Sequence, residues 1–429
     1  MNIGIMGAPI DNGNLGCMAL TYSLLCSLED IAKETGDNFN YFIFDGTNNQ
    51  NKINELSDNL KIPRERIHSM RPGYLVFNRT KEFLRKVPQD IKLLYGILKC
   101  DCVIDVTVGD SFTDIYGEEV FQQRTNTKLL LSWMHKPYIL APQTYGPYRK
   151  QSEEKAAKAM KGADIVMARD GLSLKVAQNL SKRDVLLIDD LAFQLPYEKR
   201  EKYNGNLIAV GINVSGLLWS KKSERTTSDF EIKVDYDEYV FEICRYLSSN
   251  AQYKAYFVPH VEIDHEIHSL LHEKFPQIEV VPPFANPVEA KSFISGLDIF
   301  IGARMHGTIA AFSSGVACIP TGYSRKFVGL FETLGYFRTI DLQEMSTAQA
   351  IERTLSEIIA YRQLQDEGVE CMKGVEERKS LFHKTVRKID MADEIFVINV
   401  GGYIGDSTKS EIEYAKAHGK KVNYLEDNN

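Results

Sequence analysis

The stretch Asp298-Ile-Phe-Ile-Gly302-Ala-Arg304-Met-His306-Gly-Thr-Ile-Ala-Ala-Phe-Ser-Ser-Gly315-Val-Ala-Cys-Ile-Pro320-Thr-Gly-Tyr-Ser-Arg-Lys326-Phe-Val-Gly-Leu-Phe-Glu-Thr-Leu-Gly335 decides how the rest of the chain is read. Residues 298–302 form an apolar run closed by glycine, as a buried parallel strand requires, and 307–314 are small and apolar at helical spacing up to Gly315. Residues 316–320 read as the next strand, and 323–327 as a second turn before a helix running through Leu334. Alternation of this kind predicts an α/β fold with a parallel sheet. Arg304 and His306 fall in the first strand-to-helix turn, Lys326 in the second. A helix N-terminus offers unpaired N–H groups and the positive end of its dipole, so an arginine beside it completes a site for phosphate or carboxylate. The carboxyl ends of neighbouring strands border one crevice in open α/β sheets, so both cationic turns should open on the same side.

Working outward, 429 residues with 44% hydrophobic and 25% charged content suffice for two α/β domains and an appendage. A net charge of -7, with both signs interspersed, argues against a nucleic-acid binder, which needs a basic face to displace counterions. Five of the seven cysteines are scattered in mostly apolar surroundings and read as reduced core thiols. Cys100 and Cys102 are separated by one residue and form no zinc pattern, so no metal site is expected there. The chain opens directly on a strand, 2–6, without the layout of a signal peptide, and no apolar run approaches the ~18 residues of a spanning helix. The cytoplasm is the expected location.

Residues 7–16 form a glycine-rich loop between that strand and a helical run over 17–32, and fit neither the dinucleotide fingerprint nor a P-loop. Strands are expected at 41–44 and 102–106, with a surface helix over 80–99 and no clear period over 61–79. After 102–106 the loop 108–117 places Asp110, Ser111 and Asp114 where they can hydrogen-bond sugar hydroxyls. Strands at 137–140, 165–168 and 185–188 follow, and Arg169 occupies a strand-to-helix turn like that of Arg304. Residues 196–206 are polar and turn-rich, the best domain boundary in the chain. A second alternation then carries His260 at a strand end, a candidate substrate contact, with His265 and His268 five and eight residues beyond it. A charged helical stretch covers 348–379, and the tail 381–429 reads as a β-α-β unit.

The motifs of the opening stretch resemble, in order and spacing, those of the polysaccharide pyruvyltransferases: Arg-x-His before a small-residue helix, a small-residue strand ending in Pro, and Tyr-Ser-x-Lys. Further matches are Gly13-Asn14-Leu15-Gly16, Pro142-Gln-Thr-Tyr-Gly-Pro147 and Arg169-Asp-Gly-Leu-Ser173. Asp190-Leu-Ala-Phe193 is similar to the family's Asp-Pro-x-Phe with Leu191 in place of Pro, and Cys17 stands where the family often carries Asp. The resemblance covers about residues 1–345 and implies two Rossmann-like domains facing a cleft, as in glycosyltransferases of the B type. These are expected over 1–195, on the acceptor side, and 207–380, on the donor side, with 381–429 as an appendage. The implied reaction moves a carboxyethylidene group from phosphoenolpyruvate to two hydroxyls of one sugar, forming a cyclic ketal and phosphate.

For that chemistry Arg169, Arg304 and Lys326 are the candidate donor-binding cations and His306 the candidate acid/base. Asn14, Asp110 and Ser111 are the candidate acceptor contacts. Phosphoenolpyruvate is a substrate, so neither cofactor nor metal is expected. The expected acceptor is a saccharide on a lipid carrier, which is compatible with peripheral contact at the inner face of a membrane and with a homo-oligomer. Two alternatives stay open: a nucleotide-sugar glycosyltransferase of the same architecture, and a non-catalytic module holding an anionic glycan. The tail also resembles the C-terminal half of proteins related to nucleoside deoxyribosyltransferases, with Glu411 at that family's catalytic position, and reads as a docked or oligomer-forming remnant.

Overall fold

A computed structural model of the chain describes residues 1–71, 83–203, 205–219, 231–388, 394–397, 404, 405, 408, 409, 412 and 421–424. It divides into two compact units, Met1–Arg378 and Lys379–Asn429. The first holds two parallel sheets. One is built from β1 (Asn2–Met6), β2 (Asn40–Phe44), β3 (Ile67–Ser69), β4 (Cys102–Asp105), β5 (Tyr138–Gln143), β6 (Ile165–Ala168) and β7 (Leu186–Leu187), in the order β3-β2-β1-β4-β5-β6-β7. The other is built from β8 (Ile208–Asn213), β9 (Tyr253–Phe257), β10 (Glu279–Val280), β11 (Ile299–Gly302), β12 (Ala317–Gly322) and β13 (Ile340–Asp341), in the order β10-β9-β8-β11-β12-β13. Both therefore reverse direction beside their first strand, the arrangement of a doubly wound Rossmann-like sheet, and each has a crevice beyond its carboxyl edge at that reversal.

The crossovers of the first half contain α1 (Leu15–Thr35), α2 (Gln50–Leu60), α3 (Phe83–Lys99), α4 (Glu118–Trp133), α5 (Lys150–Gly162) and α6 (Gly171–Ser181). Those of the second contain α7 (Tyr236–Ser249), α8 (Glu262–Lys274), α9 (Pro287–Ile294), α10 (Met305–Ser313) and α11 (Arg325–Thr333), before α12 (Thr347–Ile359) and α13 (Tyr361–Lys388). Local chemistry sets several boundaries. Asn14 caps α1 by accepting from the Gly16 amide, and Gly36 ends it in the left-handed region at φ 77. Asn286 caps α9, with Pro287 at its first position. Helix α10 is buried nearly all round, between its own sheet and α1 and α9, which is why it is made of Gly307, Thr308, Ala310 and Ala311. Its phenylalanine, Phe312, is edge-on to Phe193, Phe331 and Tyr336 at centroid distances of 6.2, 5.6 and 4.9 Å.

The halves are packed directly on each other. Lys52 Nζ donates to the Ala285 carbonyl at 2.6 Å, Asn286 Nδ2 to Glu55 Oε1 at 2.6 Å, and the Gly171 amide to Thr333 Oγ1 at 3.0 Å. The connection between them runs along α9, where the Glu198 and Arg200 amides donate to Ser292 and Ser295 hydroxyls, each at 3.0 Å.

Several expectations need correction. Residues 61–79, without a readable period, contain strand β3, and the two-residue edge strands β10 and β13 also escape pattern reading, because short edge strands bury little and need no alternation. The charged stretch 348–379 is two helices, broken at Ala360. Helix α1 is long and apolar enough to cross a membrane, with a mean hydropathy of 1.3, contrary to the reading that no run approached that length. Its most apolar window is 78% buried within the protein, so it is a core helix. In the second unit, Glu394–Val397 pairs in parallel with Lys421–Tyr424. Glu411 lies outside the described residues, as does most of the helix expected over 409–418.

Candidate active site

The expected site residues all stand beyond the carboxyl ends of strands: Asn14 after β1, Asp110 and Ser111 after β4, Arg169 after β6, Arg304 and His306 after β11, Lys326 after β12. The two halves meet there. The Leu15 amide donates to the His260 carbonyl at 3.2 Å, Asn14 bridges to Val261, and the Glu262 amide donates to the Gly13 carbonyl at 3.2 Å. The loop before α1 and the loop after β9 are thus stitched into one wall.

His306, in the first turn of α10, lies against the start of α1. A Cβ on Gly16 would sit 2.3 Å from its Nδ1, so only glycine admits the imidazole. Its Nε2 is buried without a hydrogen-bond partner, 3.8 Å from Asp190 Oδ1. Burial lowers the pKa of His306 below the ordinary histidine value; Asp190 opposes this, and Arg169 and Lys326 add to it. At neutral pH the ring is therefore uncharged.

Each of the three cations has a carboxylate partner. Arg169 is 1% exposed; its Nε donates to Thr144 Oγ1 at 2.9 Å and its Nη1 to Asp190 Oδ2 at 2.5 Å, while Nη2 is buried without a partner. Gly109 makes room for it, since a Cβ there would lie 2.9 Å from Nη1, and Thr107, Val108 and Gly109 all take positive φ (46, 53 and 78) in the turn around the guanidinium. Lys128 Nζ fixes that turn through Asp105 at 2.8 Å and Thr107 Oγ1 at 2.9 Å. Arg304 donates from Nε and Nη2 to Asp264, the closest contact being 2.7 Å, and its own amide donates to Asn213 Oδ1 at 3.0 Å. Lys326 reaches across from the second half to Asp110 of the first and lies 3.2 Å from the Tyr116 hydroxyl. Burial raises Asp110, but Lys326 and Arg169 outweigh it and hold the carboxyl down at about 2.

The structure brings His306, Arg169, Lys326 and Asp110 into one electrostatic neighbourhood and sets Arg304 beside it through His260. The acceptor candidates are engaged internally: the Asn14 side chain caps α1, Asp110 holds Lys326 and Tyr116, and Ser111 Oγ is 3.4 Å from Asp110 Oδ1. Asp114 does not face a ligand, being 3% exposed and accepting from the Arg149 amide at 2.9 Å. His268 is turned into the core, where Nε2 accepts from the Val214 amide at 3.2 Å and the ring stacks on Phe257.

Sequence reasoning missed the carboxylates Asp190 and Asp264. Asp190 had a signal, its motif before Phe193, whereas Asp264 lies on a helix four residues after His260 with nothing to mark it. Cys17 also belongs here: burial and then Asp110 push its thiol up to about 12, so it stays neutral beside the charged groups. Ser324, which starts α11, has a buried Oγ without a partner. Unsatisfied buried polar atoms each cost ~1–3 kcal/mol, and Arg169, His306, His260 and Ser324 carry such atoms beyond the carboxyl ends of strands.

The sequence profile of the polysaccharide pyruvyl transferase family matches residues 14–325. Among curated proteins there is no match to the chain. Among solved structures, UDP-GlcNAc 2-epimerase from Neisseria meningitidis, bound to UDP-GlcNAc, is similar at a TM-score of 0.55 and 9% identity, over 90% of this chain and 99% of that one. HepE from Anabaena, in complex with UDP, is similar at 0.53 and 11%, over 90% of this chain and 98% of that one. The UDP-GlcNAc 2-epimerase of Methanocaldococcus jannaschii is similar at 0.51 and 10%, over 82% and 92%. At such identities the likeness is one of fold: two Rossmann-like domains in the glycosyltransferase-B arrangement.

Proposed function

The chain belongs to the polysaccharide pyruvyl transferase family, and from that premise we propose that it transfers a carboxyethylidene group from phosphoenolpyruvate to two hydroxyls of a saccharide. The observation that carries this reading is the convergence of three cations and one neutral imidazole, from separate strand ends of both sheets, around buried donors that lack protein partners. Phosphoenolpyruvate presents a phosphate and a carboxylate, and guanidinium groups match both as planar, forked donors.

In this reading Arg169 Nη2, Arg304 and Lys326 bind the donor's anionic oxygens. Neutral His306 takes the proton of the first acceptor hydroxyl as its oxygen bonds to C2 of the donor, and returns a proton to the methylene carbon, which becomes the methyl group. The C2–O bond to phosphate then breaks, the second hydroxyl adds at C2, and its proton leaves with the phosphate. Both hydroxyl protons are thus accounted for, one on carbon and one on phosphate. Asn14, Asp110 and Ser111 border the acceptor in this scheme, with Asp110 exchanging Lys326 for a sugar hydroxyl. The acceptor is a saccharide on a lipid carrier, and the reaction belongs to the cytoplasmic side of the membrane holding that carrier.

The test is acceptor-dependent release of phosphate from phosphoenolpyruvate, with the product weighed for the added carboxyethylidene mass. A folded His306→Ala protein should lose activity by ~10²-fold or more; phosphate release near the wild-type rate would remove His306 from the role. Consumption of a nucleoside diphosphate sugar in place of phosphoenolpyruvate would identify a glycosyltransferase, and binding of an anionic glycan without turnover a non-catalytic module.

A further inference from the structure

His260 stands apart from the other buried histidine of its half. His268 has its backbone partner and its stacked ring, whereas His260, 4% exposed, has no partner for either ring nitrogen. Its main chain is fixed on both sides of the cleft: the carbonyl accepts from Leu15 of the first half, and the next amide, Val261, donates to Asp264 at 3.2 Å. The ring lies beside the first turn of α10, its Cγ 3.6 Å from where a Cβ on Gly307 would be. Its charged or titrating neighbours are His306, Asp264 and Arg304.

We propose that His260 is a donor-site ligand, its imidazole giving an N–H hydrogen bond to an oxygen of the anionic three-carbon donor between Arg304 and His306. The proposal rests on the phosphoenolpyruvate reading. A buried ring with two unpartnered nitrogens at a fixed position needs an outside acceptor, and an oxygen-rich anion supplies one. Burial first, then His306, lowers the His260 pKa to about 3, Arg304 adding to the effect against Asp264, so the ring donates without carrying charge and leaves proton transfer to His306. Its part is therefore to position the donor.

The experiment compares the full-length wild type with His260→Phe and His260→Asn, measuring phosphoenolpyruvate affinity by calorimetry and KM and kcat for donor and acceptor separately. Phe keeps the planar shape and removes both nitrogens; Asn keeps an N–H. The expected result for His260→Phe is a donor Kd and KM raised by about tenfold, an acceptor KM unchanged, kcat within about threefold of wild type, and a thermal midpoint that does not fall. His260→Asn should recover donor affinity to within about threefold. Wild-type donor affinity in the Phe variant, or a loss confined to kcat, overturns the proposal. Should the Phe variant fail to fold, the ring nitrogens of His260 in ¹⁵N-labelled wild type decide: a shift on adding phosphoenolpyruvate supports the contact, and no shift overturns it. If the wild type takes up no phosphoenolpyruvate, the donor reading itself has failed, and His260's role with it.

Discussion

Arg169 and Arg304 each follow a strand at the turn into a helix, Arg169 after β6, one place from the edge of its sheet, and Arg304 after β11 in the middle of its own, and they are held in different ways. Arg169 is sealed, locked by Thr144 and Asp190, and presents only Nη2. Arg304 forks onto Asp264 with Nε and Nη2 while its side chain keeps 13% of its exposure. One is a fixed piece of the wall and the other lines the opening. A strand-to-helix turn therefore yields either a sealed or a partly exposed guanidinium, depending on whether neighbouring loops close over it. For Arg169 the closing piece is the left-handed turn at 107–109, which has no counterpart at Arg304 among the described residues.

That contrast can be broken in order of severity. Arg169→Ala leaves the fully buried carboxylate of Asp190 without its guanidinium and with the Ala192 amide as its remaining donor at 2.9 Å, and should cost about 3–5 kcal/mol, read from the denaturant midpoint, with Arg169→Lys failing to restore it because lysine lacks the fork. Arg304→Ala should cost less, about 2–3 kcal/mol, because its partner Asp264 keeps amide donors from Gly216 and Val261, while donor affinity falls. Equal losses in the two variants would erase the distinction between wall and opening. Gly16→Ala acts through sterics: its methyl group would lie 2.3 Å from Nδ1 and 2.9 Å from Cβ of His306, so it displaces the ring, should reduce kcat by about 10²-fold and costs about 1–3 kcal/mol of stability.

The pH profile sharpens the picture further. Because burial favours the neutral form of His306, its folded pKa lies below the unfolded value. Its contribution to stability is therefore fully present above about 6.5 and is lost as pH falls through that value toward the folded pKa. The active base form follows the same limb, so kcat/KM should decline on the acid side with a midpoint below about 6.5; a midpoint above it would contradict the burial. The smallest expected effect is on stability in Lys326→Ala. That pair is about a quarter exposed at both ends (28% and 23%), so the unfolding free energy should move by less than about 1 kcal/mol.

The alternation around 298–335 was enough to place both cationic turns, because strand, turn and helix there are enforced by strict local periodicity and by small residues that only a packed α/β layer uses. Arg169 was likewise readable as a turn residue. The counter-charges were not, since Asp190 and Asp264 meet their arginines through folding across 21 and 40 positions, a separation on which no local pattern reports. The expectation was of cations fixed for a donor's phosphate and carboxylate; the structure shows each of them paired with a carboxylate of the protein. His260 was legible only as a strand-end residue, since its lack of partners is a property of packing. The edge strands β3, β10 and β13 were invisible because too few of their side chains are buried to leave a rhythm.

The contact between Lys326 and Asp110 ties a donor-binding candidate of one half to an acceptor-binding candidate of the other. The ammonium that the donor is proposed to recruit is already engaged by a carboxylate, so binding exchanges one cross-half contact for another while those made by Lys52, Asn286 and Gly171 remain. The strength of that ion pair is then linked to donor affinity, each weakening the other by the same factor.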